Sequence, residues 1–170
     1  MDRVTSAGVA RASRSVVASR STVIARRNLH RTVFIAAGVY NIAWGLTTAL
    51  YPQWLYRLTG GPAPDRAEMA SALGLVIGLY GVLYLDVARV PEHGALVAAV
   101  GLAGKVLGSI GLTFLIATGS WPASSLLISV TNDFIWWIPF ALYLHDCWRT
   151  SDNGAAYRHN AFEDPSGISE

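Results

Sequence analysis

The sequence is poor in cysteine and in charged residues. Its 170 residues include a single cysteine, Cys147, which excludes an intrachain disulfide and leaves any redox chemistry between two thiols to a second chain. Charged residues make up 14% of the chain, whereas a typical soluble domain carries about 25%. Hydrophobic residues make up 52%. The length allows one domain, and the composition predicts an integral membrane protein.

Signatures of several enzyme and cofactor classes are also absent. The sequence has no glycine-rich phosphate loop, no serine–histidine–aspartate set and no nucleic-acid-binding motif. All four histidines lie at or beyond the ends of the predicted spans, so we expect no haem held between helices. Residues that could meet at one membrane face and bind a metal are Glu92, His93, His145, Asp146 and Cys147. Three of these are consecutive in a helix and point in different directions, so we expect no metal. Because the sequence has no motif for a cofactor or a nucleic acid, we expect neither of these.

Apolar runs separated by charged segments predict four membrane spans. Thr32–Tyr56 has 25 residues without a charge, and Met69–Leu85 has 17. The 53 residues between Glu92 and Asp146 hold only two charges and divide at a turn, Gly119–Pro122. Crossing the hydrocarbon core takes about 20 helical residues. We therefore predict an all-α, integral membrane four-helix bundle with spans at about residues 32–51, 68–88, 94–118 and 123–145.

Basic residues predict the orientation of this bundle. With four spans both termini lie on one side, which carries ten Lys and Arg residues against two on the other. The positive-inside rule then places both termini in the cytoplasm and the protein in the inner membrane. Residues 1–31 are interpreted as a basic segment, disordered or lying on anionic lipid, or else as a transit peptide for an organelle membrane. Residues 32–146 form the bundle, and residues 147–170 are expected to be a polar, disordered tail.

Small residues recur at helical spacing in the second and third spans. They are Ser71, Gly74, Gly78, Gly81, Gly101, Gly104, Gly108 and Gly111. Glycine lets helix backbones approach closely in lipid, so a tightly packed bundle is the simpler interpretation. A glycine face can also line a flat cavity for a hydrophobic ligand, and the sequence does not separate the two interpretations.

Polar residues deep within the spans are the candidate functional residues. Asn41 lies in the first span, Lys105 in the third, and Asn132 with Asp133 in the fourth. A charge at the bilayer centre costs about 2.5–3.5 kcal/mol on insertion scales, so these side chains should face the bundle interior. The third and fourth spans are antiparallel neighbours, which makes a Lys105–Asp133 ion pair available, with Asn132 or water as a bridge. The pair either fixes the helix register or serves a proton-linked step or recognition of a polar head group.

The fourth span also carries an aromatic and proline-containing segment. Pro139 removes the hydrogen bond to the carbonyl of Ile135 and predicts a kink. Trp136 and Trp137 lie deeper than the usual interfacial belt, and their indole N–H groups need partners there, which Asp133 or a ligand could supply.

Three segments carry a resemblance to a known family: Tyr40–Gly45, Gly104–Gly108 and Asn132–Phe140. Together they resemble a family of small four-helix bacterial membrane proteins with the motif Asn-Asp-x-Ile-Trp-Trp-x-Pro-Phe. The general layout is similar to that of the DoxX-like membrane proteins. The resemblance covers roughly residues 33–145 and implies a helical bundle without a defined reaction.

Two classes of function follow as hypotheses. We expect an accessory or binding bundle for a hydrophobic molecule such as a quinone, isoprenoid or lipid, with membrane lipid as a partner and a homo-oligomer or larger complex left open. The alternatives are a proton-coupled carrier for a small solute, acting as an oligomer, and a membrane enzyme with Asp133 as acid or base. A cavity open to lipid favours binding, and a polar path between both faces favours the carrier. The candidate ligand-binding or proton-linked residues are Asn41, Trp44, Lys105, Asn132, Asp133, Trp136 and Trp137.

Overall fold

The structure, a computed structural model, describes residues 24–63 and 65–163, with side chains as far as Asp152. Its α-helices are α1 (Arg27–Leu50), α2 (Trp54–Thr59), α3 (Ala67–Arg89), α4 (Ala95–Ala117), α5 (Leu126–Ser129) and α6 (Ile135–Glu163). Short 3₁₀ turns at Pro91–His93 and Ala123–Ser125 precede α4 and α5, and a π-helical segment, Val130–Phe134, joins α5 to α6. The described residues contain no strand, which confirms the predicted all-α class.

Four helices are long and apolar enough to cross a membrane, as the sequence predicts. Three are α1, α3 and α4, and the fourth is the helical stretch Ala123–Asp152. Successive long helices run in opposite directions, so the bundle has two ends at which helices begin and end. We call the end near Arg27 and Arg89, where α1 begins and α3 ends, the proximal end. The opposite end, near Leu50 and Ala67, is the distal end.

Both outer boundaries of the bundle differ from the sequence prediction. Helix α1 begins at Arg27 rather than at residue 32, while the greater part of the basic head, residues 1–23, lies outside the described residues. Helix α6 continues to Glu163, beyond the predicted end of the bundle at residue 146. Once a helix has formed, each added residue gains a hydrogen bond, and no proline occurs between Pro139 and Pro165 to stop it.

Helices α1 and α3 make the most extensive contact in the bundle, because glycines let their backbones touch. A Cβ atom on Gly45 would lie 2.5 Å from the backbone nitrogen of Gly78 and 2.6 Å from the carbonyl oxygen of Gly74. A Cβ atom on Gly81 would lie 2.7 Å from the carbonyl oxygen of Gly38. For α3, therefore, the glycine pattern serves tight packing.

Buried apolar side chains gather in the proximal half of the bundle. We call them the proximal core: Ile24, Phe34, Ala37, Tyr84, Val87, Ala88, Ala98, Phe140 and Tyr143. Its rings are in close contact, with the centroid of Phe34 4.7 Å from that of Phe140 and 4.8 Å from that of Tyr143. All four long helices contribute, so this layer fills the space between them at the proximal end.

Polar contacts close the same end outside the proximal core. Arg26 donates to both carboxylate oxygens of Asp146, at 2.6 and 2.9 Å, and Nε2 of the buried His30 lies 2.8 Å from Asp146 Oδ2. Arg27 donates to Glu92 at 2.7 Å, and this hydrogen bond lowers the pKa of the Glu92 carboxyl from its usual value. The first and last long helices are thus joined through Asp146, whose carboxylate the arginine and the histidine share.

Candidate functional site

A cavity of about 310 Å³ lies between α3 and α4. Apolar and aromatic side chains of α3 line one wall, glycines of α4 line the other, and polar side chains form its inner surface. Two of its lining residues, Val76 on α3 and Val100 on α4, are about half exposed on the outside of the bundle. The cavity therefore opens sideways between two helices rather than at an end of the bundle.

Glycines of α4 are what leave this space open. A Cβ atom on Gly104 would meet no other atom within 4 Å, and one on Gly108 would lie 4.0 Å from Asp133 Oδ2. Gly101, in contrast, lies beneath the ring of Tyr84, where a Cβ atom would collide. The glycines of α3 that face α1 thus serve packing, whereas Gly104 and Gly108 of α4 leave room for the cavity.

Lys105 and Asp133 meet at the inner surface of this cavity. Lys105 Nζ lies 3.7 Å from Asp133 Oδ1 and donates its short hydrogen bond, 2.7 Å, to the backbone carbonyl of Asn132. Asp133 also accepts from Ser109 Oγ at 3.2 Å and from Asn132 Nδ2 at 3.0 Å. Lys105 and Asp133 are 7% and 8% exposed. The predicted pair therefore forms, with Asn132 as the bridge.

The π-helical segment contains both groups that contact Lys105, which are the carbonyl of Asn132 and the carboxylate of Asp133. A π-helix bonds residue i to residue i+5, which widens the turn and changes the direction of its carbonyl and side-chain groups. Asn132 and Asp133 lie in this segment, and the carbonyl of Asn132 accepts from Lys105. The sequence predicts irregularity only at Pro139, which the structure places inside α6. The π segment itself is a finding of the structure.

Asn41 of α1 completes the polar lining of the cavity. Its side chain is 4% exposed, and its Oδ1 atom has no hydrogen-bond partner among the described residues. The same is true of Asn132 Oδ1. Buried polar atoms are nearly always hydrogen-bonded, so these two side chains retain hydrogen-bonding capacity for a molecule in the cavity.

None of the three candidate tryptophans lines the first cavity. Trp44 lines a second cavity of about 680 Å³ towards the distal end, which shares the lining residues Leu73 and Ile77 with the first. Trp136 packs against Tyr40 and Phe140, and Trp137 packs against Phe134. Within the part of the chain that the structure describes, neither of these two indole N–H groups has a hydrogen-bond partner.

The structure therefore brings four of the seven candidate residues together. These are Asn41, Lys105, Asn132 and Asp133. No family model, no curated protein and no solved structure matches this chain. The resemblance to a four-helix bacterial family stays a prediction, and the function has to be argued from the geometry of the site.

Sequence reasoning missed Ser109 and Tyr84 as parts of this site. Ser109 follows Lys105 by one helical turn, so the spacing alone could have placed it on the same face. Tyr84 lies on another helix and forms the proximal limit of the cavity against Gly101. Its position depends on how α3 faces α4, for which the sequence contains no signal.

Proposed function

We propose that this protein is a multi-pass protein of the inner membrane that binds a hydrophobic molecule from the surrounding lipid. The molecule enters sideways between α3 and α4, and its polar end lies against Asn41, Lys105 and Asp133. The observation that carries the proposal is the cavity itself, which joins an apolar lateral opening to a buried polar cluster. Polar groups inside a bundle are costly, and unpaired ones mark a site where a ligand completes their hydrogen bonding.

A binding protein fits the packing better than a carrier does. A carrier needs a polar path to both ends of the bundle, but the proximal core fills the space between the helices with Phe34, Phe140 and Tyr143. The first cavity opens sideways, and on its distal side it adjoins the second cavity at Leu73 and Ile77. Proton-coupled transport would require the proximal core to separate.

Filling the cavity is expected to abolish ligand binding without unfolding the bundle. Gly104→Leu places a side chain in open space, because a Cβ at this position meets no other atom within 4 Å. Small molecules that co-purify with the gently solubilised protein would be identified and quantified by mass spectrometry. We expect the bound molecule to fall by about tenfold or more in this variant, which corresponds to about 1.4 kcal/mol of binding free energy.

Gly111→Leu is the matched control for this experiment. Gly111 lies on the same helix and also has no neighbour within 4 Å, but it does not line the cavity. The control is expected to retain the bound molecule at the native level. Equal amounts of every co-purifying molecule in the two variants would contradict the proposed function.

The proposed orientation places both ends of the described chain in the cytoplasm. The ten-to-two division of basic residues supports it. In a Cys147→Ala background, a cysteine at Gly119 is expected to react with an impermeant thiol reagent added to intact cells, while one at Ser151 stays unlabelled until the membrane is opened. The reverse labelling pattern would refute this orientation.

A further inference from the structure

We infer that the ligand is a neutral long-chain molecule with a hydroxyl group at its polar end, and that its chain runs from the polar cluster towards the distal end. This inference rests on the proposed function and specifies two properties of the bound molecule. The first is the chemistry of its head group. The second is the direction of its chain.

The charges of the site favour a neutral head group. Lys105 and Asp133 are buried opposite each other and sum to zero, and Lys105 already has the carbonyl of Asn132 and the carboxylate of Asp133 as partners. An anionic head group would meet the carboxylate, and a cationic one would meet the ammonium group. Either would also lose its hydration on entering the bundle without gaining a free counter-charge.

The amide groups of the site favour a head group that can both donate and accept a hydrogen bond. Asn132 Nδ2 donates to Asp133, which fixes the orientation of this amide and leaves Oδ1 as an acceptor without a donor. Asn41 Oδ1 is a second buried acceptor without a partner. A hydroxyl group can both donate to an amide oxygen and accept from an amide N–H group, so it suits these two side chains whichever way the Asn41 amide is turned, whereas an ether, an ester or a quinone carbonyl can only accept.

The shape of the open space favours a chain that runs towards the distal end. On the proximal side, Tyr84 lies against Gly101 and the proximal core follows. On the distal side, Leu73 and Ile77 line both cavities, so the two spaces adjoin at these side chains. The second is lined by Trp44 and other apolar side chains, with Asp65 and Arg66 also in its wall. Along α3 the two cavities extend from Tyr84 to Met69, a rise of about 22 Å.

Three probes of equal chain length test both properties: hexadecanol, hexadecanoate and hexadecylamine, each with a bromine on the last carbon of the chain. Bromine quenches tryptophan fluorescence on contact, and Trp44 is the tryptophan that lines the second cavity. The protein would be placed in bilayer nanodiscs of one phospholipid, and quenching titrated in the native protein and in the Gly104→Leu, Gly111→Leu and Trp44→Phe variants. Subtracting the Gly104→Leu signal removes quenching by probe dissolved in the bilayer.

We expect hexadecanol to bind the native protein and Gly111→Leu about tenfold or more tightly than the two charged probes do. Trp44→Phe is expected to remove most of the site-specific quenching. Equal Gly104-dependent binding of a charged probe would overturn the head-group assignment, and full quenching in Trp44→Phe would overturn the chain direction. If none of the probes binds in a Gly104-dependent way, this inference fails, while the proposed function still stands or falls with the co-purifying molecule.

Discussion

Replacing Lys105 with methionine is expected to lower the free energy of unfolding by about 3–5 kcal/mol, because Asp133 would then be a buried charge without a counter-ion. Asp133→Asn is expected to have a similar effect through Lys105, which would keep only the carbonyl of Asn132. The two residues are only 7% and 8% exposed, so bulk water would be a poor substitute for the lost partner. Unfolding of the purified protein, titrated with a denaturing detergent in mixed micelles, measures these losses.

The double variant separates a structural pair from a ligand-binding one. With both charges removed, no uncompensated charge remains, so we expect the double variant to recover a large part of the lost stability. Our proposed function further requires that it bind the co-purifying molecule more weakly than the native protein does, because the polar end of the ligand lies against both side chains. Retention of that molecule would assign the pair to helix register alone. Strictly additive losses would mean that the two side chains do not interact.

Gly45→Ala is expected to destabilise the bundle by roughly 3 kcal/mol, the upper end of the usual cost of overpacking. The added Cβ would lie 2.5 Å from the backbone of Gly78, and a backbone cannot turn aside as a flexible side chain does. Helix α1 would have to move away from α3 along their whole contact. The same detergent titration measures the effect.

Gly111→Ala controls for the change in residue type. A Cβ at Gly111 meets no atom within 4 Å, and alanine is the better helix former, so stability should be unchanged or slightly higher. If Gly45→Ala were as stable as this control, the close backbone contact between α1 and α3 would not exist.

The sequence predicts the number of long helices and the meeting of Lys105 with Asp133, and both predictions have a simple physical basis. Uncharged runs of the right length indicate the helices, and the short turn at Gly119–Pro122 makes the third and fourth of them antiparallel. The depth of a residue then follows from its distance along the helix. These properties depend only on local composition and spacing.

Other features depend on which helix faces which, and that information is not local. The glycines of α3 and α4 have the same spacing, yet Gly74 faces a backbone and Gly104 faces a cavity. Trp44 and Asn41 belong to one sequence segment, Tyr40–Gly45, but they line different cavities. The ion pair of Arg26 with Asp146 joins residues 120 positions apart and could not be anticipated from either end.

The π-helical segment also sets the phase of the fourth long helix. It holds about one residue more than an α-helix of the same length would. The extra residue changes which side chains of the following helix point into the bundle. Deleting one residue from Val130–Phe134 would restore α-helical bonding and rotate one half of the helix by about 100° relative to the other. After such a deletion, Asp133 could keep its hydrogen bond with Ser109 only if Phe140 moved out of the proximal core. A single uninterrupted α-helix of this sequence cannot present both faces inward, so any shortening of this segment forces a choice between them.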